Sequence, residues 1–383
     1  MGIHPPVVSL DKKKWKFTGL LGERKLFGKV VAKIKSYLGH GASILLQWDN
    51  SWQLGPMAGV LWREARKRSA DLYIGHLEGG IWAAEQLRKQ GKRVGVDLED
   101  WYSEDLLPEA RRNRPIRLLK KLERNLLCEG VYSSCTSEAM ADALVKEYRC
   151  RRPLVVRNVF PLKDRECLDA KWRDRPGMAK WMERNDPTME RPKEAPVSIH
   201  WFSQTAGPGR GLEILFQALE GMDGNWELHL RGNLKEYEEW LEGACPESVR
   251  KRMSVHGLVE NEELLSRIAE HDIGYAGELK EPPSRDLTIT NKVFQYLQAG
   301  LAVVASDTDG QKEAARSATG AVAICRAGNP SSLTEAIRGL VRKRALLLSM
   351  RQAAWRAGGE NGWEREAEKI LHRLETGIPR GAI

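Results

Sequence analysis

The chain lacks any run of about 18 consecutive apolar residues, the length a membrane-spanning helix needs, so no such helix is expected. Cysteine is sparse and scattered: Cys128, Cys135, Cys150, Cys167, Cys245 and Cys325 form no C-x-x-C pair and no zinc spacing with histidine. A disulfide-framed module is thereby excluded; reduced thiols and no metal site are expected. There is no repeat of fixed period and no low-complexity tract. The basic residues near the N-terminus follow its short apolar stretch instead of preceding it, unlike a secretory leader. Pro6 occupies the place where a myristoylated chain carries Ser or Thr. No basic motif interleaved with aromatics appears, so nucleic acid is not an expected partner.

What is present describes a globular protein of two domains. The chain has 383 residues, 42% hydrophobic and 30% charged, enough for two cores. Net charge is +9, with a cluster of cations at Arg111, Arg112, Arg114, Arg117, Lys120, Lys121 and Arg124. Such a cluster is either a solvated face or a seat for phosphates and anionic headgroups.

From residue 42 onward strands and helices alternate, as crossover units on parallel sheets do. Strands are expected at 42–48, 71–76, 93–97, 130–135 and 153–157, and helices at 56–67, 81–89, 104–110, 116–128 and 137–148. Before residue 40 only a short strand at 7–10 and a helix near 27–38 can be placed. Residues 163–195 are charged and proline-punctuated, with Trp172 and Trp181 among them, and read as a connection carrying a local helix or two. The alternation resumes with strands at 197–202, 226–231, 253–256, 273–275, 301–306 and 321–325. Residues 330–374 read as helical, broken at Gly358-Gly359 and at Asn361-Gly362.

Residues 285–308 organise the second half. Val293, Phe294, Tyr296 and Leu297 share one helical face. Gly300 is a helix stop, and 301–305 is an apolar run suited to a strand buried on both faces. Asn291 and Lys292 lie in the helix's first turn, where a cation beside free N–H groups can hold a phosphate.

Four further stretches carry candidate chemistry. In S-Q-T-A-G-P-G-R-G (203–211), Gly207, Gly209 and Gly211 allow close backbone approach, Ser203 and Gln204 offer polar groups, and Arg210 offers a forked cation; a plain strand-to-helix turn is the alternative. Gly232 and Gly257 end two strands, and the peptide groups around Leu258 can pair with the edge of a base; an ordinary turn is again the alternative. G-V-D-L-E-D-W-Y (95–102) delivers Asp97, Glu99 and Asp100 at a strand end, as a general base or as helix caps. In H-L-E-G-G (76–80), His76 or Glu78 is placed near the same end.

The stretch N-K-V-F-Q-Y-L-Q-A-G-L-A-V-V-A-S-D (291–307) resembles the N-K-x-F-E-Y-x-x-x-G-x-P-V-x-x-S element of GT-B nucleotide-sugar glycosyltransferases, specifically the retaining family 4 group. Residues 122–158 resemble the end of that fold's first domain. The resemblance implies an α/β protein with two Rossmann-like (GT-B) domains facing a cleft and C-terminal helices. It divides the chain into an acceptor-side domain at 1–160, a connection at 161–195, a nucleotide-sugar domain at 196–360 and a tail at 361–383. By resemblance, Arg210 and Lys292 grip the donor diphosphate, and Gln295 replaces the glutamate that bonds ribose hydroxyls. Leu287 stands where a second glutamate is usual. Glu99 falls where a histidine often reaches the acceptor or the donor sugar, with Asp100 beside it.

The implied reaction moves a sugar from a nucleoside-diphosphate donor to a saccharide or lipid-linked acceptor hydroxyl, with retention and no cofactor or metal. The alternatives are a sugar-nucleotide epimerase and a non-catalytic sugar-nucleotide-binding protein. A cytoplasmic protein is expected, with a peripheral seat at the inner membrane face as a second expectation.

Overall fold

The computed structural model describes residues 49–55, 57–112, 114–165, 168, 195–234 and 237–376. The strands expected at 7–10 and 42–48, the helix near 27–38, Trp172 and Trp181 lie outside them.

The first sheet is parallel and runs in the order β1-β2-β3-β4: β1 (Tyr73–His76), β2 (Val94–Leu98), β3 (Tyr132–Cys135) and β4 (Leu154–Val155). Before it comes α1 (Ala58–Ala65), and the crossovers are α2 (Leu77–Arg88), α3 (Ile116–Glu129) and α4 (Glu138–Tyr148). Leucines at 118, 119, 122 and 126 fall three or four apart on α3, so one stripe is buried against the sheet while the lysines and arginines point outward. The cation cluster is largely paired. Arg111 and Lys120 both reach Glu104 at 2.9 Å, Lys121 reaches Asp49 at 2.5 Å, and Arg114 pairs with Glu78.

The second sheet has six parallel strands: β5 (Val197–Thr205), β6 (Trp226–Asn233), β7 (Met253–His256), β8 (Ile273–Ala276), β9 (Ala302–Ser306) and β10 (Val322–Cys325), in the order β10-β9-β8-β5-β6-β7. Strand order reverses between β5 and β8, and open α/β sheets hold ligands at the carboxyl ends beside that reversal. The helices between are α5 (Leu212–Leu219), α6 (Asn261–Ile268), the short α7 (Pro283–Leu287), α8 (Asn291–Ala299) and α9 (Asp309–Ser317). Strand alternation sends Val197, Ile199 and Trp201 to one core and His200 and Phe202 to the other face. Tyr296 of α8 is fully buried there and donates to the His200 carbonyl at 3.0 Å. Its ring occupies the space a side chain at position 274 would take, since a Cβ on Gly274 would stand 2.3 Å from it. Gly300 ends α8 in the left-handed region at φ +71°.

The C-terminal helices are α10 (Pro330–Arg342), α11 (Arg344–Glu360) and α12 (Trp363–Thr376). Helix α11 runs through Gly358-Gly359, where the sequence pattern suggests a break. A Cβ at Gly358 would sit 2.3 Å from the Leu297 carbonyl, so the glycine is there for close packing on α8. The breaks fall at Lys343 and at Asn361-Gly362. Helix α12 returns to the end of the first domain. Glu366 accepts the Arg157 N–H at 3.1 Å, and Trp363 N–H donates to the Phe160 carbonyl at 3.1 Å.

A ladder of four histidines crosses the second sheet. His200 stacks on His271 at 4.5 Å, His271 lies 4.5 Å from His229, and His229 Nδ1 is 3.0 Å from His256 Nε2. Burial, then Arg231, pushes His200 well below its ordinary value, and the same causes lower His256. Unfolded, both titrate near 6.5. The folded form therefore binds fewer protons below that pH, and stability present above the unfolded value is lost as pH falls below it. His76 is shifted the other way by its hydrogen bond to Asp97, but its side chain is 60% exposed and the opposing effect is screened. Burial raises the Asp100, Asp105 and Glu123 carboxyls and so opposes this loss in the same range. The test is therefore a difference: the change in unfolding midpoint from about pH 7 to pH 5 should be less negative in His200→Phe than in the unaltered protein. The same midpoint change in folded His200→Phe as in the unaltered protein would refute the account.

Candidate active site

The two domains meet across a hollow of about 290 Å³. Glu99, Asp100 and Asn158 line it from the first domain, and Ser203, Asn291 and Lys292 from the second. It lies at the carboxyl ends of β2 and β5, where both sheets present strand ends and helix starts.

On the second-domain side, Thr290 precedes α8 in an extended conformation and its side chain does not cap the helix. The Asn291 and Lys292 amides therefore have no capping side chain, while the Val293 N–H donates to the Thr290 carbonyl at 3.0 Å, and α8's first turn places Lys292 at the hollow. Its side chain is 14% exposed, its Nζ lies 3.7 Å from Glu278 Oε1, and the same atom sits 5.7 Å from the centre of the Trp201 ring. Glu278 follows β8. Its main chain is fastened to Ser306, whose Oγ accepts the Glu278 N–H at 2.6 Å and donates to the Glu278 carbonyl at 2.7 Å. Gln311 Nε2 donates to Ser306 Oγ at 3.1 Å. Glu278 is therefore fixed at the reversal point beside Lys292. Sequence reasoning misses it, although an acid directly after a buried strand at a carboxyl end is an available signal.

The loop after β5 approaches the strand ends closely. Gly211 adopts φ +79°, and a Cβ there would meet the Gly277 carbonyl at 3.1 Å. Gly207 lies against the ring of Tyr237, where a Cβ would stand 2.9 Å from the ring carbons. Gly209 has φ +71°; its N–H donates to Glu213 Oε1 at 2.8 Å and its carbonyl accepts from Arg285 Nη1 at 3.3 Å. Arg210 is exposed on this loop and does not line the hollow that holds Lys292. Arg285, on α7, stands against the loop instead, and sequence reasoning gives it no role.

The remaining candidates are spread around this centre. Asn291 is exposed at its rim, Gln204 is exposed, and Gln295 is buried on α8 itself. Gly232 needs to be glycine because a Cβ would stand 2.7 Å from the Ser203 carbonyl. Gly257 faces open space, its carbonyl holds Arg231 Nη1 at 3.0 Å, and Leu258 beyond it is 59% exposed. That strand end presents an open peptide edge beside an apolar side chain.

On the first-domain side, Asp97 is a hydrogen-bond partner of His76 and not a helix cap. It lies 2.9 Å from His76 Nδ1 and accepts from Ser134 Oγ at 2.6 Å. Glu99 accepts from Asn158 Nδ2 at 3.0 Å. Burial, then Asp105 and Glu99, push the Asp100 carboxyl up to about 6, against the pull of Arg285. Beneath this loop Glu123 is fully buried, accepting from Ser103 N–H at 2.9 Å, Ser103 Oγ at 2.6 Å and Tyr148 Oη at 2.6 Å. The hollow thus sets a cation and the uncapped start of α8 opposite two carboxylates, one of them raised by burial to about 6. Such a pair of walls can neutralise a departing anion on one side and accept a proton on the other.

Residues 198–343 match the family described as Glycosyl transferases group 1, a match spanning the second sheet and its helices. Comparison with curated proteins returns no match. Among solved structures, the chain is similar to the sucrose-phosphate synthase of Thermosynechococcus elongatus, with TM-score 0.63 and 14% identity over 83% of this chain and 76% of that one. It is similar to the trehalose-6-phosphate synthase OtsA, with TM-score 0.63 and 14% identity over 91% and 85%. It is similar to Anabaena HepE in complex with UDP-glucose, with TM-score 0.62 and 15% identity over 93% and 97%. The architecture is the GT-B fold of glycosyltransferases, two parallel-sheet α/β domains with C-terminal helices.

Proposed function

We propose that this protein transfers a sugar from a nucleoside-diphosphate sugar to an acceptor hydroxyl. The observation that carries the reading is the hollow in which Lys292 and the start of α8 face Glu99 and Asp100. The donor diphosphate lies at the α8 N-terminus and the base along the open end of β7. Lys292 neutralises the negative charge that grows on the departing diphosphate. Asp100, with a carboxyl at about 6, receives or orients the acceptor hydroxyl. The family match over the second domain supports the donor assignment. The finer parts of the reading are a hexosyl donor, retention of configuration, and a saccharide or lipid-linked acceptor reached from an anionic bilayer surface.

The test is a thermal-shift screen with nucleoside diphosphates and their sugar conjugates, followed by incubation of the stabilising donor with saccharide and lipid-linked acceptors. A donor at about 100 times its Kd adds about 2.7 kcal/mol of stability. We expect a selective rise in unfolding temperature with one base, and a product whose anomeric coupling matches the donor. Absence of a shift with every nucleotide would sink the reading. So would donor binding without transfer or hydrolysis under any acceptor.

A further inference from the structure

A second cavity, of about 610 Å³, opens on the helical flank of the first domain and shares no lining residue with the interdomain hollow. Trp82 and Gln86 of α2 and Lys89 just after it line one wall, spaced four and three apart and so on one helical face. Lys121 of α3 and the turn at residues 49–52 close the other sides. Helix α2 begins at the carboxyl end of β1 and runs back along the sheet. Its last turn therefore lies roughly 15 Å from the strand ends that form the hollow.

The turn is fastened at several points. Asn50 Oδ1 accepts the Trp52 N–H at 3.1 Å, and the Trp52 carbonyl accepts the Gly55 N–H at 3.3 Å. Lys121 Nζ reaches Asp49 Oδ2 at 2.5 Å and ties the turn to α3. The Trp52 indole is still 43% exposed at the cavity, while Trp82 is buried in its wall. Gln86 Nε2 is enclosed and has no hydrogen-bond partner. Lys89 Nζ lies 3.9 Å from Glu85 Oε1, whose carboxylate also holds Arg88 Nε at 2.7 Å and Asn125 Nδ2 at 2.9 Å. This mixed lining selects the ligand class. An apolar ligand would strand the carboxylate, amide and ammonium groups. A phosphate would want uncommitted cations, yet Asp49 neutralises Lys121 and Glu85 stands beside Lys89. A pyranose meets both demands. Its C–H face lies flat on an indole, and its hydroxyls donate and accept at the edge, where planar amides and carboxylates pair with them. The cavity falls within the size range of small-ligand pockets, roughly 300–1,000 Å³.

We propose that this cavity is a second, non-catalytic saccharide-binding site, in which the Trp52 indole stacks on a sugar ring while Gln86 and Asp49 bond its hydroxyls. It takes a short glycan chain on the flank of the first domain. A glycan anchored there keeps its free end at raised local concentration near the strand ends of the same domain. That consequence rests on the transfer function proposed above; the binding itself does not.

The experiment is saturation-transfer NMR and calorimetry on the full chain with tetrasaccharides of glucose, mannose, galactose and N-acetylglucosamine, and with inorganic phosphate as the anion probe. We expect at least one tetrasaccharide to bind the unaltered protein and phosphate not to bind. Trp52→Ala should weaken that tetrasaccharide about tenfold or more, as truncation of a central aromatic contact does. Gln86→Leu, which keeps the volume and removes the amide, should weaken it as well. Equal affinity in folded Trp52→Ala overturns the proposal, and so does the absence of binding by every tetrasaccharide. Phosphate binding that Trp52→Ala abolishes would mark an anion site and overturn it too. If Trp52→Ala does not fold, the same comparison in Gln86→Leu decides. A protein that binds a tetrasaccharide here and transfers no sugar refutes the proposed function alone.

Discussion

Lys292→Ala is expected to lower kcat by about 100- to 1000-fold, roughly 2–4 kcal/mol of transition-state stabilisation, with the unfolding temperature nearly unchanged. The side chain lies at the hollow and carries no backbone duty, so its loss removes charge without disturbing α8. The effect should fall on kcat more than on KM, because charge on the diphosphate rises as the sugar departs. Glu278 makes the prediction sharper. With Lys292 gone, its carboxylate, 22% exposed and formerly 3.7 Å from Nζ, faces an anionic donor alone. Glu278→Gln in the Lys292→Ala background should therefore recover part of the loss, and Lys292→Arg should retain more turnover than Lys292→Ala. Arg210→Ala should cost less than Lys292→Ala, since Arg210 is exposed and stands outside the hollow. A kcat for Lys292→Ala within about threefold of the unaltered protein would remove Lys292 from the mechanism.

Why Lys292 is visible in the sequence and Arg285 is not follows from range. Helix α8 announces itself locally: four apolar residues on one face, a glycine stop and a buried strand directly after it. Its polar first turn then has one place to go, the carboxyl end of the sheet. The pairing of Arg285 with the Gly209 carbonyl and the field of Asp100 joins residues far apart in the chain, and nothing in the P-P-S-R-D stretch points to either. Glycine misleads where its reason is a contact. Gly358 looks like a helix break because propensity sees only the local backbone, whereas the missing side chain makes room for the Leu297 carbonyl. Asp97 looks equally like a cap or a catalytic acid, and only the position of His76, on the neighbouring strand, decides for a partner of that imidazole. Strand ends are legible because burial on both faces demands apolar runs; which polar groups meet beyond those ends depends on tertiary placement.

Arg351→Met is expected to destabilise the second domain by about 3–5 kcal/mol, the largest stability effect among these substitutions. Arg351 of α11 and Asp272, just before β8, form an ion pair with Nη1 and Oδ1 3.3 Å apart and side chains 3% and 0% exposed. Arg351 Nε also donates to the Gly300 carbonyl at 3.3 Å, at the left-handed end of α8. Asp272 Oδ2 accepts from the Ser198 N–H at 3.0 Å, and the Asp272 N–H donates to the Ser198 carbonyl at 3.0 Å. The pair thus fastens a C-terminal helix to the start of β5, the start of β8 and the end of the helix that bears Lys292. Methionine fills much of the same volume, so cavity formation is small and the cost is that of a carboxylate left buried without its cation. Asp272→Asn should be milder, because an amide keeps one acceptor for Ser198 and carries no charge. The combined Arg351→Met and Asp272→Asn protein should then be more stable than Arg351→Met alone, since the buried negative charge is gone. Thermal unfolding reads this directly: a drop on the order of 10 °C for Arg351→Met, partly restored in the double variant. A drop of about 2 °C or less for Arg351→Met would show that water or a neighbouring group already compensates Asp272, and the pair would lose its role as the tie between α11 and α8.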